Sequence, residues 1–387
     1  MPCLNEAETL ALCIEKAKQS LQQLGLNGEV LIADNGSKDG SIEIAEKLGA
    51  RVARIQKKGY GNALRGGIEA AYGKWIIMGD ADNSYDFANI SHFIEKLKEG
   101  YDLVMGCRLS WGDGKIVSGA MPWSHRWIGN PGLTLMSRLF FKCPINDLYC
   151  GLRAFRKESY QRMELRTTGM EFAIEMVVKA TLTGMRISEV PITLHKDGRS
   201  RAPHLRTIRD GWRSLRFMLL YSPLWLFLLP GLFLSIFGFI FSVLLILGPL
   251  QLGSVILDLG TLTISSMFLP VGIQLIAFAC YTKMFAIAEG LLPNDTSFSR
   301  IFQYLTLERG IMLGILLILG GGALFARSFQ TWGESNFGRL SYEQNLRLLI
   351  PCATLITLGV QIVFSSFFVS VLGLKIAGRT PPTLQPD

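Results

Sequence analysis

The sequence predicts an α/β domain followed by an amphipathic interfacial helix and a multi-pass α-helical transmembrane domain, and three observations predict it. The N-terminal half alternates helical apolar periodicity with short apolar runs that end in polar residues. The C-terminal half carries four apolar runs, each near the ~20 residues that a bilayer-spanning helix needs. A basic, amphipathic stretch lies between the halves. We expect the α/β domain over residues 1–200, the juxtamembrane helix over 201–222 and the transmembrane domain over 223–387.

The first half begins with a predicted helix. Asn5 and Glu8 have the spacing of a capping box, and apolar residues then recur at helical spacing until Gly25. The next predicted elements are a strand at 30–33, a helix at 42–48 and strands at 52–55 and 75–78. Strands that alternate with helices favour a mainly parallel sheet covered on both faces. Ligands bind such a sheet beyond the carboxyl ends of its strands.

The start of the chain is unusual for such a sheet. A strand would normally lead into Pro2-Cys3-Leu4-Asn5-Glu6, and only Met1 precedes these residues. Either the sheet lacks this strand, or the sequence begins inside a longer protein, and we expect the second. No basic end followed by an apolar stretch is present, so no secretory signal is predicted. We therefore expect the α/β domain to be cytoplasmic, attached to the inner (plasma) membrane.

A basic amphipathic helix is predicted between Pro203 and Leu219. Its apolar stripe consists of Leu205, Ile208, Trp212, Leu215 and Leu219. Such a stripe can lie in the membrane interface while neighbouring arginines face the head groups. Residues 196–216 contain seven Lys or Arg against two Asp, which places this segment on the cytosolic side.

Four apolar runs follow, at 224–247, 264–281, 310–326 and 350–374. Four spans return the C-terminus, with Lys375 and Arg379, to the cytosolic side. The small residues 320–322 permit close helix packing, so a homo-oligomer is compatible with the sequence.

The overall charge and the metal-binding residue types exclude several classes of function. The net charge of +8 comes with no nucleic-acid-binding motif, so a lipid membrane or a phosphorylated substrate explains it better than nucleic acid. The seven cysteines and four histidines show no metal-ligand spacing. We interpret the cysteines as reduced and structural, and the histidines as surface or packing residues.

The strongest local signal for chemistry is Asp80-Ala81-Asp82, directly after the strand at 75–78 and Gly79. Two carboxylates on one loop can face a single Mg²⁺ or Mn²⁺ whose other ligands are water and phosphate oxygens. An isolated Asp-x-Asp is common in solvated loops, but its position at the end of a strand favours the metal site.

Two other loops allow both a functional and a structural interpretation. Residues 34–40 form a turn with a helix cap, which leaves Asp34 free to accept hydrogen bonds from a base or ribose. Residues 57–63 combine glycines, lysines and a helix start, features that favour phosphate binding. A plain loop explains the second segment equally well.

In combination, these motifs resemble glycosyltransferase family 2, in the branch similar to dolichyl-phosphate mannosyltransferase and bacterial polyprenyl-phosphate glycosyltransferases. The resemblance rests on Pro2-x-x-Asn5-Glu6, Asp34-x-Gly36-Ser37-x-Asp39-Gly40, Gly59-Tyr60-Gly61-Asn62-Ala63, Asp80-Ala81-Asp82, Gly106-x-Arg108 and Asp147-x-x-x-Gly151-x-Arg153, in the family's order. It covers the chain to about residue 216 and implies a GT-A, Rossmann-like α/β fold.

The resemblance also implies roles for single residues. The positions that border the nucleotide base and ribose are Pro2, Leu4, Glu6 and Asp34. Asp80 and Asp82 match the acids that flank the metal-bound diphosphate, with Asp82 as a catalytic residue. The positions that hold the acceptor lipid phosphate are Arg108, Arg126 and Asn130. Lys196 and Arg199 lie in the segment that closes over the donor phosphates.

Three positions differ from the family's pattern or have no settled role. Asn35 stands where a second acid is frequent, and Ser84 stands where the mannosyltransferase branch has a metal-shell Gln. For Asp147, a structural cap and a catalytic role remain equally open.

The predicted reaction needs no protein base. A phosphate monoester has a second pKa near ~6 and is largely dianionic at neutral pH, so the acceptor brings its own nucleophile. We predict an inverting transfer of a hexose from a nucleotide sugar to polyprenyl (undecaprenyl) phosphate. The resemblance implies UDP-glucose as the donor, with GDP-mannose next.

Two alternatives remain at this point. One is a membrane glycosyltransferase acting on a polysaccharide or another lipid, although Trp123-Ser124-His125-Arg126-Trp127 lacks the Gln of the processive Gln-x-x-Arg-Trp signature. The other is a non-catalytic lipid-sugar translocator or scaffold, which the intact Asp80 and Asp82 disfavour.

Overall fold

The computed structural model describes residues 1–200, 207–292, 306–338 and 342–377. The chain divides into two compact units, Met1–Met218 and Leu219–Asp387. The predicted domain limits at residues 200 and 222 stay predictions.

The first unit opens with a three-stranded parallel sheet. Its strands are β1 (Pro2–Cys3), β2 (Leu31–Asp34) and β3 (Arg51–Arg54), in the order β1-β2-β3. The register aligns Cys3 with Asp34 and Asp34 with Arg54, so the carboxyl ends of these strands meet at one edge. The alternative that the sheet lacks a strand at the start of the chain is therefore wrong.

The second sheet of this unit has the order β4-β7-β5-β8. Its strands are β4 (Trp75–Met78), β5 (Leu103–Cys107), β7 (Arg153–Arg156) and β8 (Ile187–Pro191), and a separate pair consists of β6 (Lys115–Ile116) and β9 (Thr193–Leu194). Strand β7 runs antiparallel to both β4 and β5, while β5 and β8 are parallel. This sheet is mixed, which corrects the mainly parallel pattern predicted from the alternating first elements.

The helices of this unit are α1 (Leu10–Gln23), α2 (Ser41–Lys47), α3 (Tyr60–Ala70), α4 (Ser91–Lys98), α5 (Asn130–Phe141), α6 (Lys157–Met163), α7 (Phe172–Leu182) and α8 (Thr207–Leu220). The apolar stripe of α1 packs with Phe93 and Leu97 of α4 and with Val104 of β5 in one buried core. This core fixes the helices and strands that carry the site, and it matches the predicted α/β class.

The capping box predicted for Asn5 and Glu8 is wrong. Helix α1 begins after Thr9, which makes no side-chain capping bond. Asn5 has a φ of +58° and its side-chain oxygen accepts a hydrogen bond from the Lys38 backbone N–H at 2.8 Å. The Glu8 carboxylate binds Ser200 instead. Contacts distant in sequence therefore outcompete the local cap.

Only part of the predicted amphipathic helix can be compared with the structure. Residues 203–206, including Leu205, lie outside the described residues, and the Ile208 side chain does too. In helix α8, Trp212 is 58% exposed, while Phe217 and Met218 are buried. Among the described side chains of the predicted stripe, Trp212 is thus exposed while Leu215 and Leu219 are partly buried, and the interfacial position of the helix stays a prediction.

In the described part of the second unit, four helices are long and apolar enough to cross a membrane, over 224–247, 259–288, 307–334 and 345–373. The first span consists of a π-helical turn (Leu224–Leu228) and α9 (Leu229–Leu247), and a hairpin of β10 (Leu250–Leu252) and β11 (Val255–Leu257) follows it. The other three spans are α10 (Leu259–Ala288), α11 (Leu307–Glu334) and α12 (Tyr342–Ala377). The predicted four spans are confirmed. Arg379 and the Lys375 side chain lie outside the described part of the chain.

Small residues let these helices approach closely within the chain. A Cβ on Gly321 would lie 2.9 Å from the Cys352 carbonyl oxygen of α12, whereas a Cβ on Gly322 would meet no atom within 4 Å. Gly321 therefore serves packing inside this unit, and the predicted homo-oligomer stays a prediction.

Candidate active site

Asp80 and Asp82 follow the carboxyl end of β4, as the sequence predicts. The Asp80 carboxylate accepts a hydrogen bond from the Tyr60 hydroxyl at 2.9 Å. One oxygen of Asp82, Oδ1, accepts bonds from the Ser84 backbone N–H at 3.0 Å and the Ser84 hydroxyl at 2.5 Å. Two neighbouring side chains thus fix the orientation of the two acids.

The two carboxylates disfavour each other's charge. Burial, and then the negative charge of Asp82, raises the pKa of Asp80 to about 6. Burial, followed by the charge of Asp80, raises the pKa of Tyr60 well above its ordinary value, so the Tyr60 hydroxyl stays protonated and donates. A cation at this loop would relieve the repulsion between the acids.

The residues present fit a cation that is shared with a diphosphate. Among the residues that the structure describes, no group of three or more His, Cys, Asp or Glu could hold a metal ion. Two carboxylates are nevertheless the protein ligands that Mg²⁺ commonly uses when substrate phosphates and water complete its shell. Asp80 and Asp82 would supply these ligands.

Arg199 is brought from far along the chain to the same acids. Its guanidinium lies 2.9 Å from Asp82 Oδ2, 3.1 Å from Asp197 Oδ2 and 3.3 Å from Glu6 Oε1. Lys196, the other cation predicted here, is exposed. The structure therefore unites Glu6, Asp82 and Arg199, which the sequence predicts separately.

A polar cavity of 410 Å³ opens beside this cluster. Its lining consists of Asn5, Glu6, Glu8, Lys38, Asp39 and Arg199. Charged and amide side chains next to a two-carboxylate loop are suited to a phosphorylated ligand with polar rings. A second cavity, of 440 Å³, has a mostly apolar lining between β2 and β4 that includes Leu31, Ile68, Trp75 and Ile94. Its lining includes neither Asp80 nor Asp82.

The other predicted donor residues have structural tasks in this state. Pro2 is buried in β1, and Leu4 is half-buried beside it. The Asp34 carboxylate accepts hydrogen bonds from the backbone N–H groups of Gly36 at 2.9 Å and Ser37 at 3.1 Å. The turn interpretation thus applies to Asp34 as well, and its contact with a base or ribose stays a prediction.

The start of α3 in the segment 57–63 packs against the Thr168 loop, and phosphate binding by this segment stays a prediction. The Asn62 backbone N–H at the start of α3 donates to the Thr168 carbonyl at 3.3 Å. Gly59 has a φ of +125°, and a Cβ there would lie 2.5 Å from the same carbonyl oxygen. The plain-loop interpretation explains Gly59 and Gly61, because the backbone of the Thr168 loop lies too close for a side chain at either position.

Arg108 is held by a buried ion pair. Its guanidinium donates to the Asp147 carboxylate through Nε at 2.7 Å and Nη2 at 2.8 Å, and the Arg108 backbone N–H donates to the same group at 3.0 Å. Glu189 in turn accepts from the backbone N–H groups of Asn146 and Asp147 at 2.7 and 3.0 Å. Asp147 is therefore neither a helix cap nor free for acid–base chemistry, because it orients Arg108.

Arg126 and Asn130 lie on a different element. Arg126 belongs to a π-helical turn, His125–Gly129, that continues into α5. Its guanidinium lies 5.3 Å from the ring centre of Trp127, which is 51% exposed. Asn130 donates to the Met121 sulfur at 3.3 Å. The described contacts do not join these two residues to Arg108.

The sequence analysis did not predict the roles of three side chains that orient residues of the site. Tyr60 stood within a recognised motif and Ser84 was noted as a departure, but neither was expected to orient an acid. Glu189 lies more than 40 residues from the loop that it binds and belongs to no motif.

Comparison with known proteins identifies the class of both units. Residues 1–163 match the family model described as glycosyl transferase family 2, and residues 280–373 match the model of the glycosyltransferase family 2 C-terminal transmembrane region. The low-salt glycan biosynthesis hexosyltransferase Agl6 of Haloferax volcanii is 35% identical over 96% of this chain and 88% of its own length.

More distant relatives cover the first unit. A dolichyl-phosphate hexose transferase of Haloferax volcanii is 31% identical over 42% of this chain and 68% of its own length. A structure of glucosyl-3-phosphoglycerate synthase from Mycobacterium tuberculosis with Mn²⁺, UDP and glucosyl-3-phosphoglycerate covers 57% of this chain and 75% of its own, at 20% identity and a TM-score of 0.40. This structural likeness is too low to bear on the ligands of the present chain.

Proposed function

Because this chain belongs to glycosyltransferase family 2 and is a membrane hexosyltransferase, we propose that it transfers a hexose from a nucleotide sugar to a polyprenyl phosphate. The observation that carries the proposal is the cluster of Asp80, Asp82 and Arg199 beside a polar cavity, in a chain with four membrane-spanning helices. The dolichyl-phosphate hexose transferase among its relatives supports the acceptor class. The catalytic unit would face the cytoplasm at the inner membrane.

The donor side needs charge balance more than covalent chemistry. A divalent cation, Mg²⁺ or Mn²⁺, would offset the charge of the diphosphate as the glycosidic bond breaks. Asp80 and Asp82 would hold this cation, with Ser84 and Tyr60 fixing their orientation. Arg199 and Lys196 would contact the donor phosphates, and Pro2, Leu4, Glu6 and Asp34 would border the nucleoside.

The acceptor side needs a positioned dianion. Arg108, oriented by Asp147, together with Arg126 and Asn130 would hold the lipid phosphate against the donor. An oxygen of this phosphate forms the new bond to the anomeric carbon while the bond from that carbon to the diphosphate breaks, so the configuration inverts. The electron pair of the broken bond leaves with the nucleoside diphosphate, and no proton has to be removed from the nucleophile.

The donor identity can be stated as an order of preference. UDP-glucose is the first candidate and GDP-mannose the second. Both supply a hexose, in agreement with the hexosyltransferase relatives.

The test is transfer of labelled hexose into organic-extractable lipid by purified full-length protein. Reactions would contain UDP-glucose or GDP-mannose, undecaprenyl or dolichyl phosphate, and Mg²⁺ or Mn²⁺. We expect product from one donor, and no product after chelation or in Asp82→Asn. Asp86→Asn is the matched control, since Asp86 lies on the same loop but caps a 3₁₀ turn through the Ala88 N–H. Label that enters polysaccharide or another lipid instead would contradict the proposed acceptor.

A further inference from the structure

Arg199 lies directly against Asp82, one of the two acids that would hold the cation. Its Nη2 lies 2.9 Å from Asp82 Oδ2, whereas Ser84 binds the other oxygen, Oδ1. Both oxygens of Asp82 are therefore engaged in this state. The Arg199 side chain is only 12% exposed, so the ion pair is shielded from water and from screening by salt.

The backbone holds Arg199 in this place. Residues 195–200, here called the strap, run along the Asp82 loop: the His195 N–H donates to the Ser84 carbonyl at 2.9 Å and the Gly198 N–H to the Asp82 carbonyl at 3.0 Å. A Cβ on Gly198 would lie 2.9 Å from the Thr9 side chain, which shows how closely the strap approaches. Arg199 is thus aimed at Asp82 by a fastened segment.

The end of the strap is fastened by a second acid. The Ser200 backbone N–H and hydroxyl donate to the two oxygens of the Glu8 carboxylate at 2.7 and 2.5 Å. Glu8 and Glu6 both precede α1, and Arg199 contacts Glu6. The strap therefore closes one side of the polar cavity, and Glu6, Glu8 and Arg199 all line it.

The charges around Arg199 explain why a cation is needed there. Glu6, Asp82 and Asp197 all lie within ion-pair distance of its guanidinium. Asp80 adds a further carboxylate next to Asp82. Without a positive charge at this point, these carboxylates would repel one another in a partly buried site.

We propose that Arg199 is the counter-ion of Asp82 whenever metal and donor are absent, so that Arg199 and the divalent cation compete for the same carboxylate oxygen. The inference rests on the proposed function, in which Asp82 holds that cation. A free cation must displace the guanidinium and therefore binds weakly. A nucleoside diphosphate offers the displaced guanidinium a new anionic partner, so cation and nucleotide bind cooperatively.

The experiment measures Mn²⁺ binding by electron paramagnetic resonance, using full-length protein in detergent without donor or acceptor. We expect Arg199→Gln to bind Mn²⁺ about tenfold more tightly than wild type, a typical size for coupling between two sites. Lys16→Gln is the matched control, because it removes a nearby positive charge that contacts Asn83 and Asp86 instead of Asp82. We expect its Mn²⁺ affinity to stay at the wild-type value.

Added UDP supplies the second half of the test. In wild type, UDP should raise the Mn²⁺ affinity strongly, and in Arg199→Gln this gain should be about tenfold smaller because no displacement is needed. Ser200→Ala removes one fastening bond to Glu8 and keeps Arg199, so it covers the case in which Arg199→Gln fails to fold. It should bind free Mn²⁺ more tightly than wild type, but by less than Arg199→Gln.

The outcomes separate this inference from the proposed function. If UDP promotes Mn²⁺ binding but Arg199→Gln and Ser200→Ala bind free Mn²⁺ no more tightly than wild type, the competition is overturned and the metal-dependent function stands. If neither wild type nor any variant binds Mn²⁺, with or without UDP, both the competition and the metal-dependent function are overturned.

Discussion

The proposed donor side and the proposed acceptor side of the site differ in how far their residues are assembled. On the donor side, Glu6, Asp82 and Arg199 come from three distant segments and already contact one another. On the acceptor side, Arg108 is buried against Asp147, while Arg126 lies on a separate π-helical turn beside an exposed tryptophan. The proposed donor residues contact one another directly, whereas the proposed acceptor cations lie on two elements that the lipid phosphate would have to bridge.

This difference has a physical reason. In our proposal, a nucleotide sugar would arrive from water and meet a site made of fixed charges, which avoids reorganisation during reaction. A polyprenyl phosphate would arrive from the membrane, and the exposed side chains Trp123, Trp127 and Ile128 next to Arg126 are of the kind that enters a membrane interface. We expect substitutions on the donor side to reduce turnover and substitutions near Arg126 to reduce acceptor affinity.

The largest effect is expected for Asp82→Asn. Loss of one carboxylate that holds the cation removes charge stabilisation from the transition state, so kcat should fall by about 100-fold or more. Steady-state transfer to polyprenyl phosphate measures this, with Asp86→Asn as the control. A value of kcat within a few-fold of wild type would remove Asp82 from the donor site.

Next is Asp147→Asn, which leaves the Arg108 guanidinium buried without its counter-charge. Breaking a buried pair in this way should lower the free energy of unfolding by about 3 kcal/mol. Thermal or denaturant unfolding, followed by a spectroscopic signal from the first unit, measures this loss of stability. Arg108→Gln combined with Asp147→Asn should recover part of the stability, because no uncompensated charge remains. Equal stability of Asp147→Asn and wild type would show that the pair does not position Arg108.

A smaller effect is expected for Arg126→Ala. Since one cation would remain on Arg108, the KM for polyprenyl phosphate should rise about tenfold while the KM for the nucleotide sugar stays unchanged. Lys142→Gln is a suitable control, because Lys142 is an exposed cation at the end of the same helix α5. A rise in the donor KM instead would contradict the division of the site.

The smallest expected effect is a shift in the pH dependence of the site. The pKa of Asp80 is raised to about 6, so this carboxyl is ionised above that pH and protonated below it. The affinity of the metal-free protein for Mn²⁺ should therefore fall as the pH drops through about 6, because a protonated Asp80 cannot share a cation with Asp82. Tyr60→Phe removes a hydrogen bond that favours the ionised form, so the acid limb of the pH profile should move to higher pH. An unchanged limb in this variant would mean that another group controls it.

The local sequence pattern was sufficient to predict the features that depend on neighbouring residues in the chain. The strand at 75–78 was predicted with the bounds of β4, and the four apolar runs correspond to four spanning helices. The α/β class and the glycosyltransferase class are confirmed as well. Strands and spans depend on local apolar pattern, and ligand types depend on local motifs, so both can be predicted from one sequence.

The predictions that failed concern features that depend on contacts between residues distant in sequence. Asn5 and Glu8 have the spacing of a cap but bind Lys38 and Ser200. Likewise, β7 runs antiparallel between β4 and β5, and no residue within it signals its neighbours. The contact of Arg199 with Asp82 spans 117 residues, so only the fold reveals it.

The most direct measurement compares polyprenyl phosphate with the corresponding polyprenol as acceptor for the purified protein, with UDP-glucose, GDP-mannose and Mn²⁺ present. Since the phosphate is the nucleophile in our proposal, we predict a glycolipid that is labile to mild acid with the phosphate and no product with the alcohol. Equal transfer to both lipids, or transfer to neither, would contradict a polyprenyl-phosphate hexosyltransferase.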